Sequence, residues 1–289
     1  MAPDALTHLA ARLRCPSCGD PVRVAAESLT CARGHSFDIA RQGYVTLSRP
    51  HLRRSAGDTS AMVAAREAFL AARHYRPIAS VLAAAAAVGE GFGAGGPAER
   101  CVVDLGAGTG YHLSAVLDQC GRAWGIALDA SRPALRRAAR AHPRMAAVAC
   151  DVWQELPLAD ASADLVINSF APRNGAEINR VLRPGGVLIV VSPTPGHLHQ
   201  LSSVPGMLGV DSRKSQRLRA QLPSGLSHQR TAELRFDMRL TRTELEALVM
   251  MGPSAHHVAP PELARHLDAL EDRVTITASV MIETFSRAA

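Results

Sequence analysis

Cys101-Val-Val-Asp-Leu-Gly-Ala-Gly-Thr-Gly110 decides how this chain folds. The run from Arg100 to Leu105 is short, apolar and rich in valine, which suits a strand buried on both faces. The glycines then alternate, and a helical stretch follows to Gln119. A strand–loop–helix unit of this kind lets backbone approach a ligand closely, because the loop carries no Cβ atoms at the glycines. Downstream the rhythm repeats. Ala123–Leu128 reads as a strand ending at Asp129, and Ser131 caps a basic helix to His142. Met145–Cys150 and Ala163–Phe170 read as strands, Ala176–Leu182 as a short helix, and Val187–Val191 as a strand after Pro184-Gly-Gly. This alternation predicts an α/β fold with a doubly wound, mostly parallel sheet covered by helices on both faces. In the last third we expect a mobile-looking segment (201–227), a strand (229–240), a helix capped at Thr241 or Thr243, and a strand (273–285).

The loop also indicates its ligand. A dinucleotide fingerprint is G-x-G-x-x-G, and here the third glycine comes one position early, with Asp104 ahead of the first. A carboxylate suits a cationic ligand and opposes a pyrophosphate. The combination points to S-adenosylmethionine, and a sheet that binds adenylate or nicotinamide is the alternative. Asp129 ends the next strand, where it can accept both ribose hydroxyls, and Asp151 and Val152 end the third, placed to bracket the adenine. Arg183-Pro-Gly-Gly186 turns into the fifth strand. The order of these features makes this a Rossmann-like domain of the class I S-adenosylmethionine-dependent methyltransferase type, with Gly106, Gly108, Thr109 and Gly110 in its cofactor loop.

Working back toward the N-terminus, a Gly-rich loop (89–97) and a helix (77–88) precede this domain. A further helix starts near Ser60, capped by Asp58 or Thr59, and ends near Arg73-His74-Tyr75. Residues 49–58 read as a flexible basic linker. Before it, Cys15-Pro-Ser-Cys18 and Cys31-Ala-Arg-Gly-His35 have the spacing of a structural zinc site, two ligands on each of two knuckles. Leu13, Val22, Val24 and Leu29 supply a minimal core, and Phe37–Leu47 alternates enough for a strand. A module this small draws its folding free energy largely from the metal. The boundaries expected are 1–48 for a zinc-binding RNA-recognition module, 49–97 for linker and covering helices, and 98–289 for the methyltransferase domain.

Hydrophobic residues make up 47%, enough for a large core, but aromatics only 4%, too few for an extended base-stacking surface. A charge of +6 fits a polyanionic partner, yet a single lysine among the basic residues reads more simply as a coding bias. Cys101, Cys120 and Cys150 fall at expected core positions and act there as small hydrophobes. No basic-then-apolar leader is visible, and the apolar run Ile78–Val88 is too short to cross a bilayer, so a reduced, cytoplasmic protein is expected.

Further motifs fall between these landmarks: His35-x-Phe-Asp-x-Ala, Gly43-Tyr-Val, Gly57-Asp-x-x-x-Met-x-x-Ala-Arg-x-x-Phe-Leu70, His74-Tyr75-x-Pro77, Phe170-Ala-Pro-Arg-Asn174 and Ser192-Pro-x-Pro-Gly-His197-Leu. Taken together, the chain resembles the 23S ribosomal RNA guanine-N1 methyltransferases from about Leu13 to Phe285, most of all the branch conferring resistance to tylosin and mycinamicin. The resemblance implies methylation of N1 of one guanine in a domain II hairpin loop of 23S rRNA, the 748-type guanine at the peptide exit tunnel. It implies a homodimer, zinc on Cys15, Cys18, Cys31 and His35, and cofactor contacts from Tyr75, Gly108, Thr109 and His197. Without it, Tyr75 would read as packing at a helix end and His197 as a solvated loop residue.

Methyl transfer from a sulfonium needs alignment and a dry site. Guanine N1 must also lose its proton while charge grows on O6. At the end of the fourth strand, Asn168 could hydrogen-bond the guanine edge, Phe170 could stack on it, and Arg173 could contact O6 or a phosphate. Against this, Phe170 could be core and Asn168 a strand-end turn residue, and no carboxylate in the motif serves as base. Arg49, Arg53, Arg54, Arg213, Lys214, Arg217 and Arg219 are candidate phosphate contacts, or an ordinary solvated face. Two other functions stay open: a small-molecule methyltransferase, and a non-catalytic zinc-stabilised RNA-binding protein.

Overall fold

A computed structural model describes residues 3–48, 57–88, 99–202, 204, 206–207, 225–258, 260–269 and 271–288. The basic linker arginines, the Gly-rich loop before the first core strand, and the basic run around Lys214 lie outside the described residues. In chain order the elements are α1 (Asp4–Leu9), β1 (Val22–Ala25), β2 (Ser28–Cys31), β3 (Ser36–Asp38), β4 (Tyr44–Thr46), α2 (Ser60–Ala71) and α3 (Arg76–Val88). The central unit comprises β5 (Arg100–Leu105), α4 (Tyr111–Gln119), β6 (Ala123–Asp129), α5 (Arg132–Ala141), β7 (Met145–Ala149), β8 (Ala163–Ser169), α6 (Gly175–Val181) and β9 (Leu182–Pro193). The chain closes with β10 (Leu226–Thr241), α7 (Arg242–Met250), α8 (Pro260–Asp268) and β11 (Arg273–Arg287).

The apolar strands lie together in an eight-stranded sheet of order β10-β11-β9-β8-β5-β6-β7-β4. From β9 to β4 every pairing is parallel, and β11 and β10 add an antiparallel edge. One sheet face packs Val102, Ala127, Leu165, Ile167 and Ile189 beneath α3, α4 and α7. The other packs Val103, Leu105, Val166, Leu188 and Val190 against α1 and α6. The Arg183–Gly186 turn appears as a register shift between Ala163 and Leu165, with Gly185 at φ 70°.

Local signals set the element ends. The Thr59 hydroxyl accepts from Met62 N–H at 3.3 Å and starts α2. Arg73, at φ 64°, breaks the chain between α2 and α3 and so presents Tyr75. Thr241 and Glu244 form a reciprocal capping box at α7.

The expectation of a single strand over Phe37–Leu47 is corrected. Phe37–Leu47 is two strands belonging to two sheets: β3 closes the small β1-β2-β3 sheet, while β4 pairs in parallel with β7, Tyr44 opposite Ala147 and Thr46 opposite Ala149. The turn between them holds Gly43 at φ 93°, with Gly43 N–H on the Ala40 carbonyl at 2.7 Å. The cause is non-local: Met145-Ala-Ala-Val-Ala149 has small side chains and an open edge, and buried Tyr44 and Val45 cover it. The helix α1, which has no counterpart in the sequence reading, clamps the same end. It buries Ala5, Leu6 and Leu9, and His8 stacks on Trp124 of β6 with centroids 4.0 Å apart. Thus the ribbon is joined to the sheet on both sides.

Hydrogen exchange tests this arrangement. Chelating the metal should expose the amides of residues 22–31 while those of Tyr44–Thr46, held by β7, keep their protection. Loss of both together would make ribbon and strand one cooperative unit.

Candidate cofactor site and zinc ribbon

In the ribbon, each knuckle is shaped by a left-handed glycine, Gly19 at φ 76° and Gly34 at φ 82°. Their N–H groups donate to the carbonyls of Cys15 (2.8 Å) and Cys31 (3.1 Å). The four ligand atoms of Cys15, Cys18, Cys31 and His35 lie within 4.8 Å of one another. His35 Nδ1 is 3.5 Å from Cys15 Sγ and 3.3 Å from Cys31 Sγ, and the Cys18 and Cys31 sulfurs are 3.7 Å apart. Zinc–sulfur and zinc–nitrogen bond lengths require tetrahedral edges of roughly 3.5–3.8 Å, so the residues fit this ion. Four protein ligands close its coordination sphere, which makes the site structural.

The second site lies at the carboxyl ends of the parallel strands. Asp104 is 2% exposed, and its Oδ1 has no hydrogen-bond partner. Burial, reinforced by the charge of Asp129, pushes its pKa up to about 8. Asp129 is held by its backbone surroundings: Oδ2 accepts from Gly108 N–H and Oδ1 from Ser131 N–H, both at 2.7 Å. Burial raises its pKa too, against those hydrogen bonds. Cys150 N–H donates to the Asp129 carbonyl at 3.1 Å, which brings the chain that leads to Asp151 and buried Val152 alongside Asp129.

The three loop glycines differ in what they permit. A Cβ on Gly110 (φ +82°) would lie 2.9 Å from Met145 Sδ, so that glycine serves the packing of α4. One on Gly106 (φ +72°) would lie 2.4 Å from the Ala171 Cβ, where the β8 loop closes on the β5 loop. Only at Gly108 (φ +55°) is the near neighbour a mobile cation, Arg66 Nη1 at 3.1 Å. Arg66 donates to the Met251 carbonyl at 2.6 Å and pairs with Asp58. The sequence reading quoted Arg66 in a motif but gave it no role. The available signal was one cation in a helix that otherwise buries Met62, Val63, Phe69 and Leu70.

Tyr75, Phe170 and His197 come together from the residue before α3, the β8 end and the loop after β9. Ring centroids are 6.0 Å apart for Tyr75–Phe170 and 5.7 Å for Phe170–His197. A backbone N–H can only donate, so His197 Nδ1 accepts from Ser279 N–H at 3.2 Å. The imidazole proton then sits on Nε2 and donates to the Tyr75 oxygen at 3.3 Å. That leaves the tyrosine proton to point elsewhere. Burial lowers the His197 pKa to about 4, so this neutral tautomer holds through the physiological range. Phe170 is non-glycine at φ 56°, a strained conformation, and its ring is 41% exposed.

Asn168 is enclosed at the end of β8, and its Oδ1 has no hydrogen-bond partner. It has no exposed surface, and its amide donates to the carbonyls of Leu105 (3.4 Å) and Pro172 (2.9 Å). The pleat of β8 places it on the face of Val166 and Val190, where its Nδ2 group ties the loop to the end of β5. Arg173 is 7% exposed with its Nε unpartnered, and burial lowers its pKa against the charge of Glu283.

A buried, unpartnered acid below a glycine loop, a second acid fixed at the neighbouring strand end, and an attached Cys₃His ribbon define an S-adenosylmethionine-dependent methyltransferase carrying a structural zinc module. A family model described as "Methyltransferase domain" matches residues 102–186, and the zinc-ribbon model "RlmA, N-terminal" matches residues 13–54. A 23S rRNA (guanine(748)-N(1))-methyltransferase of Streptomyces fradiae is 47% identical, covering 93% of this chain and 94% of its own length. A candidate 23S rRNA (guanine-N(1)-)-methyltransferase of Micromonospora griseorubida is 49% identical over 99% of both chains. A further candidate of that name from Bacillus subtilis is 27% identical over 93% of this chain. The chain belongs to the 23S rRNA (guanine-N1)-methyltransferase family.

Asp104 gives a measurable signature. Its folded pKa of about 8 lies above the ordinary 3.8, so its cost to the ligand-free fold is nil below about pH 4 and grows as pH rises toward 8. Asp104→Asn should therefore raise the Tm of the ligand-free protein more at pH 7.5 than at pH 4. In calorimetry it should weaken cofactor binding by about tenfold or more. A destabilised variant with wild-type affinity would refute this account.

Proposed function

We propose that this chain uses S-adenosylmethionine to methylate N1 of a guanine in the domain II hairpin loop of 23S rRNA, the 748-type guanine of the exit tunnel, and so protects the ribosome from macrolides. The observation that carries the reading is the aromatic group Tyr75–Phe170–His197, built around Phe170 on a loop that closes against the Asp104–Gly108 loop, itself tied to Asp129, in a chain with an attached zinc ribbon. S-adenosylmethionine, when bound, supplies a methyl group already activated by its sulfonium. Asp104 meets its positive end, Arg66 stands where a carboxylate would lie against Gly108, Asp129 faces the ribose, and Asp151 and Val152 flank the adenine. The Tyr75 hydroxyl proton is free to turn toward the ligand.

On the acceptor side, the exposed Phe170 ring offers a stacking face for an unpaired guanine. Arg173 can stabilise charge that grows on O6. His197 cannot act as the base, because one nitrogen already binds Ser279 N–H and the other carries the proton. Burial holds the Tyr75 hydroxyl in its neutral form. The N1 proton is left to pass to water at the open Phe170 edge. A small-molecule substrate would leave the ribbon without a task. A non-catalytic role would leave the buried, unpartnered Asp104 carboxyl without a ligand. A homodimer belongs to the same reading, and sedimentation at micromolar concentration reads it directly.

Primer extension on a 23S domain II hairpin treated with enzyme and cofactor tests the reaction. A stop at one loop guanine, with no stop when cofactor is left out, is expected, because N1 methylation blocks base pairing. A protein that binds both ligands but yields no stop would overturn the proposal. Tyr75→Phe should weaken cofactor affinity about three- to tenfold, the scale of one hydrogen bond.

A further inference from the structure

Among the described residues two large hydrophobic side chains are exposed: Phe170, and Trp153 at 57%. Phe170 belongs to the acceptor side of the cleft, whereas Trp153 has no part in it. Its place is nevertheless closely fixed. Trp153 N–H donates to Asp151 Oδ1 at 3.0 Å, and its carbonyl accepts from Asn174 Nδ2 at 3.2 Å. Asn174 ends the loop that begins at Phe170 and caps α6. Two and three residues beyond the indole lie Glu155 and Leu156. Leu156 N–H donates to Glu177 at 2.7 Å, and the Leu156 carbonyl accepts from Arg180 at 3.0 Å. Gln154 and Glu155 line a cleft of about 410 Å³ whose opposite wall is the ribbon knuckle Pro16–Gly19. Trp153 therefore stands on a braced loop between the zinc ribbon and the Phe170 loop.

A rigid exposed indole loses little conformational entropy on binding, and unpaired RNA bases commonly stack on such rings. Trp153 and Phe170 stand on separate loops that meet at the Asn174–Trp153 hydrogen bond, and each exposes a ring of its own. We propose that Trp153 is a stacking platform for a second unpaired base of the same RNA hairpin loop, on the path from the ribbon to the methyl acceptor. The proposal rests on the RNA methyltransferase reading above. It adds how the loop is held open: one base on Phe170, another on Trp153.

The chain has two tryptophans, so fluorescence isolates this one by difference. The wild type and Trp153→Phe are titrated with a labelled 23S domain II hairpin, RNA anisotropy and protein emission being read together, and separately with S-adenosylhomocysteine. RNA binding should quench wild-type emission and leave that of Trp153→Phe nearly unchanged. Trp153→Ala should weaken RNA affinity about tenfold, with Trp153→Phe recovering most of it and affinity for S-adenosylhomocysteine unaltered. RNA that binds without altering Trp153 emission, or binds Trp153→Ala as tightly as wild type, overturns the platform and leaves the methyltransferase reading standing. Quenching by S-adenosylhomocysteine alone also overturns it, assigning the indole to the adenine. Failure of the hairpin to bind at all removes both.

Discussion

The constraint on which the site depends is a buried carboxylate with an unpaired oxygen. Asp104 sits between Val103 and Leu105 on β5, in the middle of the sheet, where solvent cannot reach it and no side chain neutralises it. A position of this kind is unfavourable in the ligand-free protein. The surroundings do nothing to relieve it: Asp129 adds a second negative charge, and Arg66 is committed to Asp58 and the Met251 carbonyl. A cationic ligand over the Gly108 backbone is what such a cleft lacks. The large apolar core on both sheet faces supplies the stability that lets the strain persist.

The ribbon bears on this site through the sheet. Zinc fixes two knuckles, β3 closes the small sheet, and one tight turn later β4 lies against β7. The strand β7 ends next to Asp151, and the loop after it carries Trp153 and then the wall that faces the ribbon. A few residues therefore link metal, cofactor edge and Phe170 loop, and each link is a backbone pairing or a side chain-to-backbone hydrogen bond. On the proposed reading, an RNA gripped by the ribbon would be held in a set position relative to the methyl donor. A flexibly tethered module would not provide that.

Features that depend on neighbours in sequence were legible before any coordinates. The β5 run, the glycine spacing, Asp129 at a strand end, the Ser131 and Thr241 caps and the Cys–Cys–Cys–His spacing are all local chemistry, and each lies where expected. What escaped was set across the chain. Tyr44–Thr46 alternates like any ribbon strand, and only the open edge of β7 draws it into the main sheet. Asn168 and Phe170 are two residues apart at one strand end, and sequence alone could not say which would face solvent. Burial through the β8–β9 pairing turned Asn168 inward. Arg66 looked like one more helix cation until the fold set it against Gly108.

That pair also shows how the loop divides its work. Asn168 ties the Leu105 carbonyl to that of Pro172, holding the end of β5 and the turn after β8 together. Pinned at both ends, the turn carries Phe170 through a left-handed conformation that glycine would adopt with less strain. A glycine there would give up the ring. The strain is tolerated because Phe170 N–H still donates to the Val191 carbonyl at 3.0 Å, so the cost falls on the dihedral alone and no hydrogen bond is lost. Asn168 thus braces the turn from which the exposed Phe170 projects: its Nδ2 group is spent on two carbonyls, and only its Oδ1 is left without a partner.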